Sequence, residues 1–235
     1  MQVGEAVAKL REAADLAAAR GSLLFHLDLA TETAGMAYAA RGMVPSGLAT
    51  LVDEQGYRVF AFDAPPSSRL LAEARFDSTG DVVLLPATRS VPADALRLAE
   101  ARETIAAIRF GDGLTHTPLV IPSTDPTRAL EGYALAVGED AETALVAGHW
   151  RVDLDHTGRR ALNRTALSAS SGPVARDIRT LKAAPLIDAG AVPNAIHTYL
   201  SMKHGVTLGV ETRESGLLWH VDGERTKIAP RPACP

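Results

Sequence analysis

One run of residues alternates polar side chains suited to acid–base or ligand chemistry with apolar ones. The polar members of this run are His149, Arg151, Asp153 and Asp155. On a β-strand they share one face, where a histidine, an arginine and two carboxylates suit a cation or a polar ligand. The same row is typical of the solvated side of an antiparallel sheet. We favour the solvated face.

A second group, His197, Ser201 and His204, is spaced to share one face of a helix, where two imidazoles would suit a metal. On a strand His197 and Ser201 still share a face, while His204 falls in the following turn. Zinc needs a further protein ligand, and the chain has no His-Glu-x-x-His motif. We therefore predict no metal site and no cofactor. The catalytic candidates are His149, Asp153, His197 and His204.

Asp28 and Glu32 form a third group, one helical turn apart and close to His26. Paired carboxylates can share a proton or hold a divalent ion. They are equally typical of a hydrated helix surface, which we favour because carboxylates are mostly exposed.

Motifs for nucleotide binding and for nucleophilic catalysis are missing. The glycine-rich run Gly111–His116 follows a predicted helix and precedes a strand, the reverse of the dinucleotide-binding order, so we interpret it as a loop. There is no Gly-x-Ser-x-Gly or Ser-x-x-Lys motif. The single cysteine, Cys234, excludes a metal site built from several cysteines.

Composition limits the class of protein and its partners further. The chain has 235 residues, of which 46% are hydrophobic and 22% charged, enough for a sizeable core. A net charge of −4 and few aromatic residues disfavour nucleic acid as a partner. No apolar run is long enough for membrane insertion, and acidic residues in the first helix argue against a signal peptide. The chain as given is expected to be cytoplasmic, or periplasmic if an export leader has been removed.

Helical periodicity occupies residues 1–42. It predicts one helix ended by Gly21 and a second helix, Ser22–Arg41, ended by Gly42. After Pro45 the pattern alternates, which predicts two hairpins and then a helix. Their bounds are Leu48–Glu54 with Tyr57–Asp63, Leu70–Phe76 with Asp81–Leu85, and the helix Pro92–Ile108.

The second half of the chain is mostly strand-like. Predicted strands are Leu119–Ile121, Leu130–Val137, Thr143–Leu154, Arg160–Ser168, Val206–Thr212 and Leu217–Val221, with a short helix around Val174–Lys182. The run Ile196–Met202 fits a strand or a two-turn helix after Pro193 and Asn194. We prefer the strand because Ile, Thr and Tyr are prominent.

These elements predict an α+β fold, with N-terminal helices and a central helix packed on extensive, mostly antiparallel β-sheet. We expect a single domain, 1–235, comprising a helical N-terminal segment (residues 1–42), a β-rich remainder (residues 43–228) and a short Pro-rich tail (residues 229–235).

The motif Pro193–Gly205, followed by Leu217–Val221, resembles the C-terminal end of an uncharacterised family of Gram-negative bacterial proteins. The segments Gly148–Val152 and Asp28–Ala30 fit the same pattern. The resemblance implies a bacterial, β-rich protein and supplies no activity. Members are often exported, but this sequence shows no leader.

Two functional hypotheses follow. The first is a non-catalytic binding or assembly protein, with a protein partner or a homo-oligomer left open. The alternative is a metal-assisted or His/carboxylate-dependent hydrolase. The alternative predicts that His149, Asp153, His197 and His204 converge within about 4–6 Å, the range over which charges shift pKa values strongly.

Overall fold

The N-terminal segment forms one long helix rather than two. The computed structural model describes residues 3–54, 56–63, 69–76, 81–86, 91–122, 127–138, 143–167, 175–177 and 185–229. Helix α1 spans Val3–Ala39, so the prediction that Gly21 ends a helix is wrong. A Cβ on Gly21 would lie 2.3 Å from the Ala195 carbonyl oxygen and 2.6 Å from Thr198 Cβ. Gly21 is needed inside α1 because a later helix approaches it there.

The first sheet is built from the two predicted hairpins in sequence order. Strands β1 (Gly47–Asp53), β2 (Gly56–Phe62), β3 (Leu70–Phe76) and β4 (Val82–Pro86) are antiparallel neighbours. Helix α2, Ala93–Ala106, follows and buries Ala95, Leu98, Ala101 and Ile105. The hairpins and the central helix are therefore confirmed. Gln55 and residues 77–80, in the predicted turns, lie outside the described residues.

The second sheet has the order β5-β6-β8-β9, with β5 His116–Ile121, β6 Leu130–Ala136, β8 Trp150–Leu154 and β9 Ala161–Ala166. The predicted single strand Thr143–Leu154 is wrong because residues 146–149 are not part of a strand. Strand β7, Thr143–Leu145, pairs with β10, Ala175–Asp177, in a separate two-stranded sheet. This pairing also corrects the helix predicted around Val174–Lys182. The other residues of that segment, 174 and 178–182, are outside the described ranges.

The third sheet, β11-β12-β13-β14, comprises Leu186–Asp188, Leu208–Thr212, Leu218–Asp222 and Arg225–Ile228. Its only parallel pair is β11 with β12, and the prediction missed both β11 and β14. Helix α3, Ala195–His204, replaces the strand we preferred at 196–202. Asn194 caps it by accepting from the Ile196 N–H at 2.9 Å, and Gly205 ends it with φ +60°. The capping signals outweigh the β-propensity of the run.

The helices pack against both faces of the first and second sheets. Helix α2 packs between the first sheet, through Phe60 and Phe62, and one face of the second, through Leu130 and Val152. The opposite face of the second sheet joins α1, α3 and the third sheet in another core. These three helices and mostly antiparallel sheets confirm the α+β fold. None of the helices in the described segments is both long and apolar enough to cross a membrane.

Candidate binding cleft

Helix α3 contacts α1 near its start and near its end. Near its start, Ala195 lies against Gly21. Near its end, Tyr199 Oη and Lys203 Nζ both donate to Asp28 Oδ2, at 2.7 and 2.6 Å. This packing holds the loop that precedes α3 beside the N-terminal half of α1.

An open cleft of about 700 Å³ lies between α1, the second sheet and the loop from β11 to α3. Its volume is in the range that accommodates small organic ligands. Most of its wall is apolar, and its charged side chains come from all three structural units. The lining residues are Leu16, Ala17, Ala19, Arg20 and Leu23 of α1, Tyr133, Arg151 and Leu167 on the sheet side, and Asp188 with residues 190–195 of the loop.

Two arginines face this cleft, each held by a carboxylate. Arg20 Nη1 lies 3.2 Å from Glu131 Oε2, and Tyr133 Oη donates to the other oxygen of Glu131. Arg151 Nε donates to Asp153 Oδ1 at 2.9 Å, which raises the pKa of Arg151. Burial and the bond to Glu131 raise the pKa of Tyr133, so its phenol stays protonated. Each guanidinium group is thus paired with a carboxylate at the cleft.

Asp188 holds the loop from β11 to α3, which forms one side of the cleft, through hydrogen bonds. This carboxylate, whose side chain is only 7% exposed, accepts from the Gly190 N–H at 2.7 Å and from Asn194 Nδ2 at 2.9 Å. His197 Nδ1 lies 3.5 Å from Asp188 and accepts from the Asn194 N–H. Burial lowers the pKa of His197 although Asp188 opposes the shift, so the ring is neutral at neutral pH. The loop is thus preorganised by hydrogen bonds.

His149 is buried in the segment that connects β7 to β8. Its Nε2 lies 2.7 Å from the Leu145 carbonyl oxygen, and its Nδ1 accepts from the Ala136 N–H at 3.2 Å. Burial lowers its pKa to about 4. A neutral ring that joins two backbone segments fits a structural role. Of its predicted row, Arg151, Asp153 and Asp155 are partly exposed while Val152 and Leu154 are buried, as the alternation requires. The prediction of a solvated face is wrong for His149, which is 1% exposed.

A second, smaller cavity of about 360 Å³ lies beside the other end of α3. It is lined by Asp28, Glu32, Tyr199, Lys203 and His204 among others. The prediction of a hydrated surface is right for Glu32 but wrong for Asp28, whose side chain is 3% exposed. Asp28 is buried because Lys203 and Tyr199 supply its hydrogen bonds. Burial lowers the pKa of His204, and the neighbouring Lys203 adds to this shift.

The four catalytic candidates contact different partners. Asp153 and His197 contact residues of the main cleft, His204 lines the second cavity, and His149 is bonded to backbone. Within the described ranges, no cluster of three or more His, Cys, Asp or Glu is suited to a metal ion.

Several cleft residues escaped the sequence prediction: Arg20, Glu131, Tyr133, Asp188 and Asn194. Glu131 and Tyr133 pair across the strands with Asp153 and Arg151, so the alternation of β6 contained a usable signal.

The glycine-rich loop before β5 is held by the carboxylate of Asp112. Asp112 accepts from the Leu114 N–H and from Trp150 Nε1, both at 3.1 Å, and lies 3.3 Å from His116 Nε2. An anion at this loop would meet a negative charge. The interpretation as an ordinary loop therefore agrees with the contacts.

Comparisons with protein-family models, with curated proteins and with solved structures found no match. The functional interpretation of the cleft therefore rests on its geometry and charges.

Proposed function

We propose that the protein is a non-catalytic binding protein whose main cleft takes a small ligand with a polar end and an apolar body. The observation that carries this proposal is the wall of the cleft, where Arg20 and Arg151 stand among mostly apolar residues. Ligand sites commonly combine an apolar lining with a few convergent polar groups. The bacterial origin implied by the family resemblance remains part of the proposal.

The lining residues favour binding over catalysis. Among the described residues they include no serine, threonine, cysteine, lysine or histidine to serve as a nucleophile or a base. Tyr133 is a poor nucleophile because burial and Glu131 raise the pKa of its phenol. Asp188 is buried, and its oxygens accept from Gly190 and Asn194, which gives it a role in holding the loop.

The hydrolase alternative has weaker support. It needs His149 as a base, but both nitrogens of that ring have backbone partners. Turnover of simple esters that is abolished by His149→Gln but unchanged by cleft variants would favour the alternative.

A thermal-shift screen of small metabolites tests the proposal. A ligand that binds only the folded protein raises its melting temperature, so binders of the wild type are identified directly. Ala19→Trp places a bulky side chain on the cleft wall and should abolish the shift. Ala13→Trp is the matched control, because Ala13 is also exposed on α1 but does not line the cleft. If every stabilising compound acts equally on both variants, the cleft is not the binding site.

The assembly hypothesis also stays a proposal. A second copy of the chain or a protein partner would compete with solvent at the open side of the cleft. Sedimentation of the wild type and of Ala19→Trp gives the oligomeric state. A dimer that dissociates in the variant would assign the cleft to assembly instead of a small ligand.

A further inference from the structure

We infer that the ligand of the main cleft is an organic acid, with its carboxylate held by Arg20 and Arg151 and its hydrocarbon body against the apolar wall. This inference rests on the proposed binding function and names its ligand class. It follows from the hydrogen-bonding capacity left in the cleft and from its apolar surface.

The cleft has more donors than its own acceptors use. A guanidinium carries five N–H donors in a planar fork. Among the described residues, Arg151 Nε donates to Asp153, whose Oδ1 also lies 2.9 Å from Arg151 Nη2, and Arg20 Nη1 forms an ion pair with Glu131 at 3.2 Å. The side chains of the two arginines are 47% and 40% exposed, so their other N–H groups are accessible to a ligand.

The carboxylates around the cleft are, in contrast, already bonded. Glu131 receives Arg20 on one oxygen and Tyr133 on the other. Asp188 receives Gly190 on one oxygen and Asn194 on the other. A ligand carboxylate would add to the guanidinium donors, of which Glu131 and Asp153 use only some.

The apolar wall distinguishes an organic acid from an inorganic anion. Leu16, Leu23, Leu167, Val192 and Pro193 share the cleft with the arginines. An inorganic phosphate would leave this surface in water, whereas a hydrocarbon chain or ring would cover it. Arginine recognises carboxylates through two parallel hydrogen bonds, which orients the acid with its body toward the wall.

Isothermal titration of the 235-residue chain tests the inference with two acids, octanoate and phenylacetate, and the matched alcohols octanol and phenylethanol. At least one acid should bind, at least tenfold more tightly than its alcohol. Arg151→Met should weaken that acid at least tenfold, and Arg151→Lys should weaken it less. Arg159→Met is the matched control, since Arg159 pairs with Glu100 outside the cleft and its side chain is 71% exposed. Melting curves confirm that each variant is folded.

The outcomes separate this inference from the proposed function. If neither acid binds, or an alcohol binds as tightly, the acid assignment is overturned, while a neutral ligand displaced by Ala19→Trp would keep the binding function. If an acid binds Ala19→Trp as tightly as wild type, the cleft is not its site and both proposals fail. Equal weakening by Arg151→Met and Arg159→Met would show a general charge effect and overturn the carboxylate contact.

Discussion

The carboxylate of Asp28 should be the most sensitive single group in the contact between α1 and α3. It accepts from Lys203 Nζ at 2.6 Å and from Tyr199 Oη at 2.7 Å, and its side chain is only 3% exposed. Burial lowers the pKa of the Arg102 guanidinium to about 10, and the negative charge of Asp28 opposes that shift. Asp28→Asn therefore removes the negative charge that three buried or partly buried groups share.

The expected loss is about 3 kcal/mol in the free energy of unfolding. Removing one partner of a buried ion pair costs about 3–5 kcal/mol. The lower end applies because Lys203 is 34% exposed and keeps Glu32 at 3.0 Å. In a chain of this size, each kcal/mol lowers the melting temperature by about 2–4 °C, which gives a decrease of about 6–12 °C.

Urea unfolding followed by circular dichroism measures this loss and its origin. Lys203→Met should also destabilise, because it leaves Asp28 buried without its ammonium partner. The double variant should be more stable than the sum of the single losses predicts, by at least about 1 kcal/mol, since the two groups are in contact. Glu32→Gln is the control, and with a side chain 55% exposed it should change stability by no more than about 0.5 kcal/mol. A loss for Asp28→Asn no larger than that of Glu32→Gln, or full additivity, would refute this reasoning.

Three other predictions concern backbone approach and protonation. Gly21→Ala should destabilise by about 1–3 kcal/mol, because the new Cβ meets the Ala195 carbonyl oxygen at 2.3 Å. Gly35→Ala, at a position of the same helix with no contact within 4 Å, should stabilise by about 0.5–1 kcal/mol, and urea unfolding of both variants compares the signs. Stability should fall as pH decreases from about 6.5 to about 4, because His149 binds a proton in the unfolded state but not in the folded state over this range. Its pKa falls from 6.5 to about 4 on folding, which corresponds to about 3 kcal/mol. His149→Gln should remove that share of the pH dependence, and an unchanged slope would exclude His149 as its source.

Much of the fold is visible in local periodicity. The alternating runs that follow Pro45 predicted both hairpins of the first sheet, and the helical run after Pro92 predicted α2. These elements bury one face against a neighbour, so their period is visible without knowledge of that neighbour.

The two failures have different physical causes, a long-range contact at Gly21 and local capping signals at 196–202. Glycine commonly follows the last residue of a helix, which is why Gly21 is predicted to end one. In the structure Gly21 lies inside α1, where Ala195 from a distant segment approaches it. The strand preferred at 196–202 is a helix whose ends are set by Asn194 and Gly205. There the caps carried the correct information, and β-propensity was the weaker guide.

The cleft was only partly foreseeable. Arg151 and Asp153 belong to the polar row visible in the sequence, and both contribute to the charges at the cleft. Arg20 and Asp188 come from a helix and a loop far away in sequence, and only tertiary packing brings them to the same site. No spacing rule connects them, so the sequence alone could not predict the cleft.

Native mass spectrometry of freshly purified protein, compared with its denatured mass, tests the central claim most directly. The account predicts that the wild type and Ala13→Trp acquire a small acid when it is added, and that Ala19→Trp does not. Loss of the bound mass on denaturation would identify a non-covalent ligand. Equal acquisition by Ala19→Trp, or a stoichiometric metal found by elemental analysis of the wild type, would contradict the account.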